Sequence, residues 1–188
     1  MKTTIYFIRH AHSPFVFGGE RERPLSDQGI AEAKRLRPVL SQIRFDHVFS
    51  SPYKRAIQTI EYALPHASIS IHESLKERPI KGNYKLATDE RLIALERSFK
   101  DIDFCLEGGE TVREAQVRAL PVIFNMIAQK DWSNVAVGTH GNIMTSIMNY
   151  FDPVAFGYRY WVHTSKPDII KLAFRGYHLD AVERLHHT

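Results

Sequence analysis

An arginine and a histidine follow the first apolar stretch of the chain, which opens MKTTIYFIRHAHSPF. Residues 4–8 are apolar, β-branched or aromatic and predict a buried strand, which ends at Arg9 and His10. Burying this pair without polar partners would be costly. The pair is therefore either an ordinary strand end that reaches solvent or part of a site.

Two further strand ends carry side chains of the same type. The segment DHVFSS predicts a strand, and Arg55 follows it in the first turn of a helix. The segment NVAVGTH predicts an interior strand that ends at His140. Because ligands of open α/β sheets bind beyond the carboxyl ends of the strands, we expect Arg9, His10, Arg55 and His140 to meet there.

Two guanidiniums and two imidazoles favour a phosphoryl dianion, since the arginine fork matches phosphate oxygens and helix N-termini add free N–H groups. Neutral His10 is predicted to attack phosphorus with one ring nitrogen while the other donates to a backbone carbonyl. The product is a phosphohistidine. Arg9, Arg55 and His140 would hold the non-bridging oxygens, so the chemistry requires no metal and no cofactor.

The leaving oxygen of a phosphate ester also needs a proton, and therefore a carboxylic acid opposite the nucleophile. We predict Glu77, which follows the third strand, and keep Glu73 as the alternative. Like-charge repulsion by the bound dianion would favour the protonated acid, which could later deprotonate the attacking water. Ser13 and Gly141 complete the predicted substrate-binding residues, beside Arg9, Arg55 and His140.

The elements that position these residues alternate between strand and helix, so the fold class is α/β with a mostly parallel sheet. Strands are predicted at 4–8, 46–51, 68–73 and 134–140, and a C-terminal hairpin turns at Gly176. Helices are predicted at 27–43, 51–64, 89–100, 110–129 and 142–150. Ser26 and Ser51 are the predicted N-caps of the first two helices, with Pro52 at the first helical position.

Length and composition are those of one globular domain over residues 1–188, with 44% hydrophobic and 24% charged residues. Lysine and arginine number 25 against 21 acidic residues, an excess too small and too dispersed for a nucleic-acid binder. Nothing predicts a signal peptide or a membrane span, and the single cysteine, Cys105, fits a cytoplasmic protein. His186 and His187 stand at the C-terminal end of the sequence and are assigned no role. No pattern predicts an oligomeric state.

With these residues assembled, the chain resembles the histidine phosphatase superfamily, also called the phosphoglycerate mutase-like family (branch 1). Arg9-His10-Ala11 stands where the family has RHG, SSPYKRAIQT is close to SSP..RA.QT, and VAVGTHGNI is similar to the second-histidine motif. The segments PLSDQGIAEA, LKE and GGETVREAQVR resemble three further motifs, in the family's order. The resemblance implies a three-layer α/β/α sandwich of the phosphoglycerate mutase-like type and a metal-independent phosphohistidine mechanism.

Family mutases usually carry extra insertions that hold a sugar-acid phosphate, and this chain looks trimmed. A phosphatase of the histidine acid phosphatase type is therefore expected, acting on a small phosphorylated metabolite or a phosphopeptide. A lid-like insertion is predicted at about 78–107. Its start and the residues before it carry four cations that could attract a multiply charged substrate or simply face solvent: Lys76, Arg78, Lys81 and Lys85.

Three other functions stay open at this point. One is phosphoryl transfer of the phosphoglycerate mutase type, and another is a non-catalytic relative that binds phosphorylated ligands. The third is a metal-dependent hydrolase, because His10 and His12 have the H-x-H spacing of several zinc enzymes. Arg9 beside these two histidines would repel a divalent cation, which argues against the third function.

Overall fold

A computed structural model describes residues 2–185, so His186 and His187 lie outside the described residues. Six strands form one sheet in the order β3-β2-β4-β1-β5-β6. The strands are β1 (Lys2–Arg9), β2 (His47–Ser50), β3 (Ile69–Ile71), β4 (Asn134–Thr139), β5 (Asp168–Arg175) and β6 (His178–Leu185). The helices are α1 (Asp27–Arg35), α2 (Arg37–Leu40), α3 (Lys54–Ala63), α4 (Thr88–Lys100), α5 (Val112–Ala128), α6 (Gly141–Phe151) and α7 (Tyr158–Val162), with a 3-10 turn at Glu73–Leu75.

The sheet is mostly parallel, as predicted. Strands β1 and β2 flank β4 and run parallel to it, and β3 runs parallel to β2. Strands β5 and β6 form a hairpin in which β5 pairs antiparallel with β1. The hairpin turns at Gly176, whose φ of 58° lies in the left-handed region that favours glycine. The carboxyl ends of β1, β2 and β4 therefore lie side by side at one edge of the sheet.

Helices cover both faces of the sheet and make the predicted three layers. Ile5 and Phe7 of β1 pack in one apolar cluster with α5 and α6. Tyr6 and Ile8 point to the opposite face, where α2 and α3 supply Leu40 and Ile60. This two-residue alternation is what a strand buried on both faces requires.

The predicted helix at 27–43 is wrong in its continuity. Ser26 caps α1 as expected, accepting the N–H of Gly29 at 3.1 Å, but α1 ends at Arg35 and α2 follows separately. Pro38 explains the break, because it has no N–H to continue the hydrogen bonds of α1 and its ring clashes with the preceding turn, whereas proline is tolerated in the first turn of α2. The later helix 110–129 is shorter by a residue or two at each end, and Thr111 caps it.

Ser51 does not cap α3, so that prediction is wrong as well. The helix begins at Lys54 with Tyr53 at the N-cap position, and Pro52 lies outside it. The hydroxyl of Ser51 accepts the N–H of Tyr53 at 3.2 Å and contacts His140, a residue distant in sequence. A tertiary contact therefore takes the side chain that a local pattern assigns to helix capping.

The predicted lid segment contains α4 and is tied down at its base by backbone hydrogen bonds. The N–H of Gly82 donates to Glu107 O at 2.8 Å, and that of Leu106 donates to Ile80 O at 3.0 Å. Helix α7 was missed by the sequence analysis, because its five residues are too short for a periodic signal. None of the helices between residues 2 and 185 has the length and apolar character needed to cross a bilayer.

Candidate active site

The four predicted phosphate-site residues come together at the shared sheet edge. Arg9 pairs in register with Thr139, the residue before His140, and β2 leads from the same edge towards Arg55. The ring centroids of His10 and His140 are 5.2 Å apart. All four side chains are buried, with residue exposures of 6% or less.

Hydrogen bonds on both ring nitrogens orient His10. Nδ1 lies 2.7 Å from the carbonyl oxygen of Ala11, and Nε2 lies 3.2 Å from Nε of Arg55. A carbonyl only accepts and a guanidinium only donates, so the proton is assigned to Nδ1 and the lone pair to Nε2. Burial, reinforced by the charge of Arg55, holds the pKa of His10 well below its usual value. The ring is thus a neutral imidazole whose Nε2 lone pair faces Arg55.

His140 is fully buried and uses only one ring nitrogen for a contact. Its Nε2 lies 2.7 Å from the Ser51 hydroxyl, while its Nδ1 has no hydrogen-bond partner in residues 2–185. The ring packs edge-on against Tyr53 at 5.1 Å between centroids. Burial, with Arg55 as the next cause, holds the pKa of His140 well below its usual value.

Arg9 is anchored from the loop before β5. Its Nη1 donates to the carbonyl of Thr164 at 3.2 Å and also to the Thr164 hydroxyl, whereas its buried Nε finds no acceptor in the described chain. Gly141 is needed beside it, because a Cβ there would lie 2.8 Å from Arg9 Nη2 and 2.9 Å from Trp161 Nε1. Arg9 therefore has donor capacity that the fold leaves unused.

A glutamate that the sequence analysis missed contacts Arg55. Nη2 of Arg55 lies 3.2 Å from Glu20 Oε2, and Nη1 donates to the Glu20 carbonyl. The same carboxylate oxygen also accepts from Nε and Nη2 of Arg23 at 3.2 Å each. Burial is the main cause that lowers the pKa of Arg55 to about 10, followed by repulsion from Arg23.

Arg23 brings a third guanidinium close to the site, with only 10% of its side chain exposed. Its Nη1 donates to the hydroxyl of Ser13 at 2.7 Å and to the Ser13 carbonyl at 2.9 Å. Ser13 in turn donates its own proton to Pro24 O at 2.7 Å. In this structure Ser13 holds Arg23, and its predicted contact with substrate stays a prediction.

The carboxylate of Glu77 lies at the N-terminus of α6, the helix that begins directly after His140. Its Oε1 accepts the N–H groups of Ile143 and Arg78 at 2.8 Å each, and Oε2 accepts that of Asn142 at 3.2 Å. The positive end of the helix dipole favours a carboxylate at this place. Glu73, the alternative acid, instead forms a bidentate ion pair with Arg21 on the surface at 2.9–3.0 Å.

The basic residues of the lid are not all directed outwards. Arg78 is buried to 1% exposure, where Nη2 donates to Ser98 at 2.9 Å and Nη1 to Glu110 O at 3.2 Å. Lys81 donates to the carbonyls of Gly82 and Tyr84 within its own loop. The prediction that all four cations face solvent or substrate is therefore wrong for Arg78. Ser98 and Glu110, which are distant in sequence, accept its hydrogen bonds inside the protein.

The two histidines of the HAH segment do not act as a pair. Nδ1 of His12 lies 2.7 Å from the Ser26 hydroxyl, whereas His10 contacts Ala11 and Arg55. Within the described chain no three His, Cys, Asp or Glu side chains are grouped so that they could hold a metal ion. His12 thus contacts Ser26, the N-cap residue of α1, and His10 belongs to the buried site.

The model of the histidine phosphatase superfamily (branch 1) matches residues 5–184. The chain belongs to this superfamily. Among curated proteins it is 28% identical over 169 residues to a 2,3-bisphosphoglycerate-dependent phosphoglycerate mutase of Cytophaga hutchinsonii, covering 80% of this chain and 78% of that one. A second such mutase, from Latilactobacillus sakei, is 26% identical with 80% and 85% coverage.

Solved structures of phosphatases and mutases share the fold. A mycobacterial glucosyl-3-phosphoglycerate phosphatase superposes with a TM-score of 0.75 at 17% identity, covering 92% of this chain and 91% of that one. Phosphoglycerate mutase from Bacillus anthracis gives 0.77 at 18% identity, with 98% and 92% coverage. The superfamily thus supports phosphoryl transfer as the general chemistry, and its members include both hydrolases and mutases.

Proposed function

We propose that this protein is a phosphomonoester hydrolase that forms a phosphohistidine on His10. The observation that carries the proposal is the neutral His10 ring, whose Nδ1 proton is held by Ala11 O and whose Nε2 lone pair faces the buried guanidinium of Arg55. A phosphoryl dianion bound to that guanidinium would place its phosphorus within reach of Nε2.

The first step releases the Nε2 lone pair of His10 from the Nε–H of Arg55, forms a bond between Nε2 and phosphorus, and breaks the ester P–O bond. Arg9, Arg55 and His140 would hold the three non-bridging oxygens. Arg9 Nε and His140 Nδ1, which have no hydrogen-bond partner within residues 2–185, support this assignment. The three N–H contacts of Glu77 stabilise its carboxylate in the free protein, so the proposal requires that the bound dianion favour the protonated acid, which would then give its proton to the leaving oxygen.

The second step returns the free enzyme. Glu77, now a carboxylate, would take a proton from a water molecule whose oxygen attacks phosphorus, while the bond from phosphorus to Nε2 of His10 breaks. Inorganic phosphate leaves, no atom changes its oxidation state, and Glu77 is protonated again for the next cycle.

Two of the four lid cations are unavailable to a second phosphate group, and this supports hydrolysis over a mutase reaction. A mutase that holds a doubly phosphorylated species needs cations beyond those on the transferred group. Arg78 and Lys81 are bonded to acceptors of the protein itself. We therefore expect a small phosphorylated metabolite as substrate, with a phosphopeptide as the second choice.

The mutase reaction remains a second candidate, because the curated relatives named above are 2,3-bisphosphoglycerate-dependent mutases. Interconversion of 3- and 2-phosphoglycerate, assayed with catalytic 2,3-bisphosphoglycerate, distinguishes the two. A mutase rate that exceeds the rate of phosphate release on every ester of a metabolite panel would overturn the proposed hydrolase.

Phosphate trapping tests the proposed mechanism. The protein is mixed briefly with a ³²P-labelled aryl phosphate, denatured with alkali and counted, since a phosphohistidine survives base and is lost in acid. We expect label and turnover in the wild type and in His12→Gln, the matched control, and neither in His10→Gln. Turnover by His10→Gln at the wild-type rate would refute a phosphohistidine on His10, and so would label that resists acid.

A further inference from the structure

Ser51 follows β2 and is fully buried, with its hydroxyl between the His140 ring and the backbone N–H of Tyr53. Its hydroxyl oxygen lies 2.7 Å from Nε2 of His140 and 3.2 Å from the backbone nitrogen of Tyr53. The Ser51 N–H donates to Gly138 O at 2.9 Å, which fixes the backbone. The direction of each hydrogen bond decides what His140 can offer to a ligand.

The position of each proton follows from what each partner can do. The N–H of Tyr53 only donates, so the Ser51 oxygen accepts it. If the oxygen also accepted a proton from His140 Nε2, the Ser51 hydroxyl proton would have no acceptor within residues 2–185, and Nδ1 of His140 would present a lone pair to the pocket. If Ser51 instead donates to Nε2, every buried proton of Ser51 is satisfied.

A charged His140 would make this choice irrelevant, because an imidazolium donates from both nitrogens. The ring is completely buried, and Arg55 and Arg9 lie close enough to oppose a further positive charge. His140 is therefore a neutral ring, and the tautomer determines whether Nδ1 donates or accepts.

We propose that Ser51 is a positioning residue that fixes His140 as the Nδ1–H tautomer and so makes a neutral histidine a hydrogen-bond donor to the phosphoryl group. His10 has the same tautomer but a different orientation. In His10 the Nδ1 proton is donated to Ala11 O, and the Nε2 lone pair accepts the Nε–H of Arg55. In His140 the Nε2 lone pair accepts from Ser51, and the Nδ1 proton has no acceptor within residues 2–185. The same tautomer thus serves as nucleophile in one ring and as donor in the other.

This inference deepens the proposed function and rests on it only for the identity of the anion. The tautomer is a property of the free protein and can be measured without substrate. Failure to hydrolyse any ester would therefore refute the proposed function and leave the role of Ser51 to be decided separately.

Ser50 offers a matched control, since it is the adjacent serine and is equally buried. Its hydroxyl donates to the carbonyl of Ser51 at 3.0 Å, and the hydrogen bond to His140 is made by Ser51 and not by Ser50. Ser50→Ala and Ser51→Ala therefore remove the same atoms from the same strand end, and only the second removes the partner of the ring.

The experiment is a two-bond ¹H–¹⁵N correlation spectrum of the free protein with ¹⁵N-labelled histidine at pH 7, assigned by signals absent from His140→Gln. We expect the Nδ1–H pattern for His140 in the wild type and in Ser50→Ala, and a shift towards Nε2–H in Ser51→Ala. Inorganic phosphate, titrated by calorimetry, should bind Ser51→Ala about 10-fold more weakly, as expected for a lost hydrogen bond to a charged group. An Nε2–H or imidazolium pattern in the wild type overturns the proposal, even if Ser51→Ala fails to fold. An unchanged tautomer in folded Ser51→Ala overturns it too.

Discussion

Arg55 donates a hydrogen bond from Nε to Nε2 of His10 over 3.2 Å, so the arginine and the proposed nucleophile are direct neighbours. The other two nitrogens of the guanidinium contact Glu20. These contacts use three of the five N–H groups of Arg55, so a phosphoryl group would bind to the other two beside the Glu20 carboxylate, which competes with it for the same guanidinium. Arg55 therefore positions a phosphoryl group next to His10, and Glu20 competes with that group for Arg55.

Replacing Arg55 by lysine should lower kcat/KM for an aryl phosphate by about 10²–10³-fold, the cost of losing one preorganised donor in an electrostatic site. Lysine keeps the charge but cannot contact His10 and two phosphoryl oxygens with a planar fork. Steady-state kinetics measure the effect. Arg21→Lys, at an exposed arginine paired with Glu73, is the control and should change little. Retention of more than a third of the activity by Arg55→Lys would contradict the role of the fork.

Glu20→Gln should tighten the binding of inorganic phosphate roughly 2–5-fold, because an exposed or half-exposed charge contact is worth about 0.2–1 kcal/mol. The glutamine no longer competes as an anion for Arg55 and Arg23. The inhibition constant of phosphate gives the change. The free energy of unfolding should fall at the same time, since the buried Arg55 loses its counter-charge.

Glu22→Gln provides the comparison for this variant. It lies in the same loop, is exposed and removes the same charge. If long-range charge alone were responsible, both variants would bind phosphate equally well. Weaker phosphate binding in Glu20→Gln than in the wild type would mean that Glu20 orients the arginines and does not compete with substrate.

The sequence predicts Arg9, His10, Arg55 and His140 because each of these residues follows a recognisable strand, and the order of parallel strands brings their ends together. Ser51 is different. A serine before a proline predicts a helix cap locally, but the contact with His140, distant in sequence, decides its side chain. Glu20, likewise, lies in a loop without periodicity, so no local pattern indicates that it contacts Arg55.

Burial of the charged residue Arg78 in the lid segment is likewise not predicted by the local sequence. Arg78 follows Glu77 in a basic, glycine-containing segment that is typical of a solvated loop. In the fold, Ser98 of α4 and the carbonyl of Glu110 accept its hydrogen bonds, and the Phe99 ring lies 5.3 Å from its guanidinium. Burial of a charged residue depends on acceptors from other segments, which the residue's own neighbours in sequence do not predict.

Glu77→Gln should impair substrates according to their leaving groups. An alkyl oxygen needs a proton as it departs, so kcat/KM for an alkyl phosphate should fall by about 10²–10⁴-fold. A nitrophenolate leaves without one, so the first-turnover burst of nitrophenol should fall much less. Rapid-mixing kinetics separate this burst from the later hydrolysis of the phosphoenzyme, which also needs Glu77.

Glu73→Gln tests the alternative acid under the same conditions. Because Glu73 is paired with Arg21 at the surface, its replacement should leave the ratio of alkyl to aryl rates unchanged. A selective loss of alkyl phosphate turnover in Glu73→Gln, with a normal ratio in Glu77→Gln, would assign the proton to Glu73 instead.

The two buried histidines should make the protein less stable as the pH falls below about 6.5, the ordinary pKa of an unfolded histidine. In the folded protein the pKa values of His10 and His140 are held well below this, mainly by burial. Below pH 6.5 the unfolded chain therefore binds protons that the folded chain does not, and each such group lowers the free energy of unfolding by about 1.4 kcal/mol per pH unit until its folded pKa is reached. Above pH 7.5 neither group contributes to the slope.

Urea unfolding of the wild type, His140→Gln and His178→Gln between pH 5.5 and 7.5 isolates this contribution. Glutamine cannot take up the proton, so His140→Gln should lower the slope at the acidic end by about 1.4 kcal/mol per pH unit. His178 has a side chain that is 81% exposed, so His178→Gln is the control for removing one imidazole from the surface. Equal slopes in the two variants would mean that folded His140 takes up a proton as readily as the unfolded chain does. A ring that charges so easily would donate from both nitrogens at acidic pH, and the tautomer set by Ser51 would then matter only near neutrality and above.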